Sequence, residues 1–85
     1  MKPPKIVRWV LSPHALERLQ ERKVSARELA LVIERPDATI RQGEKWIFAK
    51  AIHGRSDNKI AAVLLEKEDR GLWLVITVMV QFVAK

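Results

Sequence analysis

Residues 72–84 carry no charge, and that stretch constrains the fold more than any other part of the chain. It is rich in valine, isoleucine and threonine and follows a charged turn over residues 66–71, a combination that predicts a strand. Side chains alternate across a strand, so a strand apolar on both faces needs cover on each. Two short helices can cover one of those faces. The other has to be met by the curl of the sheet, by a second copy of the chain or by a partner protein.

The helices are announced upstream. Residues 1–5 form a basic, proline-containing tail, and residues 6–11 (Ile-Val-Arg-Trp-Val-Leu) read as a short strand. Ser12 is a good N-cap and Pro13 suits the first helical position, so a helix is expected over residues 13–23. Ser25-Ala26-Arg27-Glu28 has the capping-box pattern. It starts a second helix that runs to about residue 35 and is stopped by Pro36, with Leu29, Val32 and Ile33 on one face. Beyond Pro36 the chain reads as strands over residues 39–42, 45–52 and 59–66. The first two are joined by a Gly43-Glu44 turn, and residues 53–58 are rich in turn formers. The expected architecture is α+β: two N-terminal helices packed on an antiparallel β-meander of about four strands. Residues 1–5 are then a flexible tail and residues 6–85 a single domain.

An 85-residue chain is one small domain with a limited core. It has no cysteine and only two histidines, which argues against a disulfide framework or a structural zinc. No secretion signal and no apolar run of about 20 residues is visible, so a cytoplasmic protein without a membrane partner is expected. Sixteen lysines and arginines against ten acids give a net charge of +6, a balance that favours polyanions such as RNA.

At about 100° per residue, His14, Arg18 and Arg22 form one stripe along the first helix. Ala15, Leu16 and Leu19 form the neighbouring stripe, which is expected to face the core. The positive end of the helix dipole and Arg18 both favour a neutral imidazole at His14, the state a general base requires. The other reading is a half-buried histidine packed at a helix start. Arg18 and Arg22, with the free N–H groups of the helix start, could bind a phosphate, or Arg18 could pair with Glu21 on a solvated face. Arg55, beside Gly54, is either a further phosphate contact or part of a basic hairpin tip. Lys50 shares a face with Trp46 and Phe48 and is expected to snorkel at the sheet edge. Thr77, the one hydroxyl in the last strand, either satisfies itself on a backbone carbonyl or aims at a cleft beneath the first helix. Trp9, Trp46 and Trp73 are core or interface anchors.

The pattern Ser12-x-His14-Ala15-x-x-Arg18-x-x-x-Arg22 resembles a small bacterial family of unknown function. Ser25, Arg35-Pro36-Asp37, Gly54-Arg55 and Ile76-Thr77-Val78 extend the likeness. That family is similar to the toxin-like RNases of the RelE and barnase superfold, which pair with antitoxins and cut RNA without metal. The resemblance implies a RelE-like fold and a metal-independent endoribonuclease that needs no cofactor. His14 would be the acid/base residue and Arg18, Arg22 and Arg55 would hold the phosphate, with Thr77 as an accessory. Lys50 joins Arg18, Arg22 and Arg55 as a candidate RNA contact. The implied partners are RNA and a small antitoxin, and the apolar last strand adds a homodimer. A non-catalytic nucleic-acid-binding or dimeric regulatory module is the alternative. Where the family often has glycine before its second helix, as in Arg-Gly-Ile-Ser, this chain has Arg22-Lys23-Val24-Ser25. The corner is therefore expected to close without an easy left-handed residue.

Overall fold

A computed structural model describes residues 2–52, 59–67 and 71–80. The order is β1 (Arg8–Leu11), α1 (Pro13–Arg22), α2 (Ala26–Glu34), β2 (Ala38–Gln42), β3 (Lys45–Ala51), β4 (Lys59–Glu66) and β5 (Leu72–Val80). The fold is α+β, as expected, with two differences. The sheet has five strands in the order β1-β5-β4-β3-β2, and it is mixed. Strands β2 to β5 form the antiparallel meander, while β1 lies parallel to β5, with Trp9 beside Trp73 and Leu11 beside Val75. The helices are therefore not N-terminal to the sheet; they belong to the long connection between its first and second strands. Parallel neighbours need such a crossover, and here everything from α1 to β4 supplies it. Flanked by β4 on one side and β1 on the other, the first half of β5 is central, as its apolar faces require. No helix among the described residues is long and apolar enough to cross a membrane.

Local chemistry explains the helix ends. The Ala15 N–H donates to Ser12 Oγ at 3.0 Å, and Pro13 occupies the first turn. In α2, Glu28 N–H donates to Ser25 Oγ while Ser25 N–H donates to Glu28 Oε1, the complete capping box. Between the helices Lys23 adopts φ 54°, ψ 44°, a left-handed conformation. Lys23 N–H donates to the Gln20 carbonyl and Val24 N–H to the Leu19 carbonyl, and Val24 is buried in the same core cluster as Leu19. Those two bonds and that contact make a Schellman motif, so the corner closes in the usual way but on lysine. A side chain costs energy in this region that glycine avoids. Lys23→Gly is expected to raise stability by about 0.5 kcal/mol, net of glycine's unfolded-state entropy. In a thermal melt that is a rise of about 2–4 °C.

Ala15 and Leu19 of α1 and Leu29, Val32 and Ile33 of α2 bury against Phe48, Ile60, Leu64, Val75 and Val78 on one sheet face. Ile6 reaches into the same core, and residues 3–7 line a groove with the end of α2. Trp46 and Trp73 are buried and Trp9, half-buried beside Trp73, packs against the same core cluster, which makes all three core anchors. Leu16 departs from expectation: it is 48 % exposed, because its place on α1 lies a quarter-turn round from Ala15. On the opposite sheet face a smaller cluster centres on Ile47, Ala49 and Ala61. The β2–β3 hairpin turns at Gly43, whose φ of 63° suits the first position of a two-residue type II′ turn.

Asp37 ties the α2–β2 connection to β3. Its Oδ2 accepts from Ala51 N–H at 2.9 Å, and Lys50 Nζ lies 3.4 Å from Oδ1 while donating to the Arg35 carbonyl at 2.9 Å. The Ala51 N–H, and secondarily Lys50, hold the Asp37 carboxyl below its ordinary value of 3.8. A depressed carboxylate contributes stability above the unfolded-state value and loses it as pH falls through the folded one. Wild type should therefore melt higher than Asp37→Asn near neutral pH, and the gap should close as pH drops below 3.8.

Candidate phosphate-binding cleft on the first helix

The site starts from Ser12, whose hydroxyl does two things. It accepts from Ala15 N–H to cap α1, and it donates to the Ile76 carbonyl of β5 at 2.9 Å. Ser12 N–H donates to the neighbouring Val75 carbonyl at 3.0 Å. At this point β5 is irregular. Thr77 pairs with Val63 but Val75 pairs with Leu64, so Ile76 is the extra residue of a bulge. The start of α1 is thus fastened to the bulge, and the helix packs along β5 from there.

Beyond Val75 β1 no longer pairs with β5. A cleft opens here between α1 and the second half of β5, lined by Arg18, Arg22 and residues 77–80. Two guanidinium groups one helical turn apart beside a strand edge suit a phosphate diester, which they can grip through paired N–H donors.

His14 is exposed one turn before Arg18. Arg18 Nε donates to His14 Nε2 at 3.4 Å, and Arg18 Nη1 lies 3.3 Å from Glu21 Oε1. Arg18 thus pairs with Glu21, as one of its two readings has it, and also lines the cleft. That ion pair is solvent-exposed and worth little, so a phosphate can compete for the guanidinium.

The sequence-predicted site is brought together only in part. Arg18, Arg22 and Thr77 meet in one cleft, with His14 joined to it through Arg18. Thr77 pairs with Val63, a residue of the cluster on the face away from the helices, so the cleft meets it at the strand edge rather than beneath α1. Lys50 has its ammonium committed to Asp37 and the Arg35 carbonyl. Arg55 and its neighbour Gly54 lie outside the described residues. Two features escape the sequence: the Ser12–Ile76 bond, because a bulge without glycine leaves no local mark, and the bulge itself. Among the described residues no three His, Cys, Asp or Glu side chains are grouped to hold a metal. Compared with family models, with curated proteins and with solved structures, the chain matches none.

Proposed function

We propose that this protein is a metal-independent endoribonuclease of toxin type, acting on RNA in the cytoplasm and held in check by a small antitoxin. The observation that carries the reading is the convergence of Arg18 and Arg22 on one cleft, with His14 hydrogen-bonded to Arg18. The sequence motif and the net charge of +6 support it. A phosphate entering the cleft draws the Arg18 guanidinium from His14, and Nε2 is then free to take the proton from an adjacent ribose 2′-OH. The 2′-oxygen attacks phosphorus, the bond to the 5′-oxygen breaks, and that oxygen takes up a proton from water. The products are a 2′,3′-cyclic phosphate and a 5′-hydroxyl. Arg18 and Arg22 stabilise the charge that builds on the phosphorane oxygens. Arg55 and Thr77 are the remaining contacts that the resemblance implies.

A non-catalytic RNA-binding module is the second reading. It is favoured by one observation: the described residues that line the cleft include no carboxylate and no imidazole, His14 reaching it only through Arg18.

Incubating the purified chain with end-labelled RNA in excess chelator separates the two. Cleavage to cyclic-phosphate ends, with DNA of the same sequence left intact, is expected, because DNA lacks the attacking hydroxyl. Intact RNA that still binds, with affinity falling steeply as salt rises, leaves the binding module standing instead.

A further inference from the structure

The cleft between α1 and the second half of β5 is walled by main chain. Thr77 and Met79 turn toward the sheet face away from the helices, Val78 and Val80 toward the core beneath them. All four line the cleft, so it runs along the edge of the strand rather than over either face. That edge has lost its neighbour, because β1 stops pairing at Val75. The last bonds it takes from described residues are those from Ser12 to the Val75 and Ile76 carbonyls. Along residues 77–80, alternate N–H and C=O groups therefore point away from β4 and into the cleft. An open edge of this kind is a template for a further strand. Among the described residues, the charged side chains that line it are Arg18 and Arg22, with no acid. Four residues apart on α1, they are set about 6 Å apart along the helix axis. Side chains on one face of an extended strand recur every ~6.7 Å, so the two repeats match. Glu21, whose carboxylate lies 3.3 Å from Arg18 Nη1, shows the kind of group the guanidinium accepts.

We propose that the cleft takes an extended acidic segment of a protein partner. The segment adds a strand to the open edge of β5 and sets carboxylates at alternate positions against Arg18 and Arg22. Main-chain pairing supplies affinity and the alternate carboxylates supply selectivity. RNA offers phosphates to the arginines but no row of N–H and C=O groups to complete a strand edge. The net charge of +6 draws an acidic segment from a distance. The inference rests on the proposed function for its protein partner, and it supplies the means of restraint. The segment fills the place where a phosphate binds, so RNA and partner exclude each other.

The probe is a short fluorescent peptide that alternates glutamate with threonine, a good strand former, titrated into the full chain and followed by anisotropy. It is expected to bind. The same peptide with its main-chain nitrogens methylated keeps every charge but loses its strand donors, and should bind about tenfold more weakly or worse. Arg18→Gln and Arg22→Gln, checked for folding by circular dichroism, should each weaken the unmodified peptide about threefold. Amide hydrogen exchange of the full chain should slow at residues 77–80 when the peptide is bound. Absence of binding overturns the proposal. So does equal binding of the methylated peptide, which reduces the contact to charge attraction, or slowed exchange that spares residues 77–80. RNA cleavage plays no part in these measurements. A chain that binds the peptide but leaves RNA intact keeps the inference and loses the catalytic reading, and one that cuts RNA without binding the peptide does the reverse.

Discussion

Replacing His14 by alanine is expected to slow RNA cleavage by about 10²–10⁴-fold, the usual contribution of a general base. RNA affinity should stay within about threefold, because the proposed function gives the phosphate contacts to Arg18 and Arg22 rather than to His14. Loss of the imidazole also releases Arg18 Nε from its 3.4 Å bond, so any change in affinity should be a gain. Arg22→Ala should behave differently. On the proposed function it removes a contact to the phosphate in both the bound and the reacting state, so affinity and cleavage should fall together. Single-turnover cleavage and equilibrium binding on the same RNA measure both quantities. Equal cleavage by His14→Ala and wild type would remove His14 from the chemistry. Parallel losses in the two variants would make it a binding residue.

The second large effect concerns stability. Ser12→Ala deletes the cap of α1, worth about 1 kcal/mol, and leaves the Ile76 carbonyl without its hydroxyl partner, worth about 1–2 kcal/mol more. A total of about 2–3 kcal/mol is a large share of what a chain this size has, and the melting temperature should fall by about 10–20 °C. Two further substitutions divide the sum. Ser12→Thr keeps both the acceptor and the donor and should retain most of the stability. Ser12→Asp keeps the cap but sets a carboxylate against the Ile76 carbonyl, so it should melt no higher than Ser12→Ala. If Ser12→Asp melts with Ser12→Thr, the bond to the bulge contributes nothing.

What could be read from the sequence was what acts within a few residues. Ser12, Pro13 and the Ser25–Glu28 pair mark helix starts whatever lies elsewhere, and both helices begin where those residues say. Gly43-Glu44 likewise fixes the β2–β3 register on its own. The spacing of Arg18 and Glu21 foretold their pairing along the helix, whereas the bond from Arg18 to His14 emerged only in the structure. The placement of β1 beside β5 could not be foretold, since a four-residue strand carries no record of its neighbour. Nor could the engagement of Lys50, whose partner Asp37 is thirteen residues away in the chain. Lys23 shows a different limit. Its identity argues against a left-handed corner, yet the position demands one, and the buried contact of Val24 with the core outweighs the local preference.

The bond from Ser12 to Ile76 joins residues 64 apart in the chain, and β1 pairs with the strand made last. During synthesis α1 can form early, but neither β1 nor the start of α1 has anything to fasten to until β5 has emerged. Contacts of this separation also close slowly. The cleft that Arg18 and Arg22 line has β5 as its other wall, so it is assembled at the end of folding. A nascent or truncated chain without β5 carries His14 and both arginines on an unanchored helix and has no cleft.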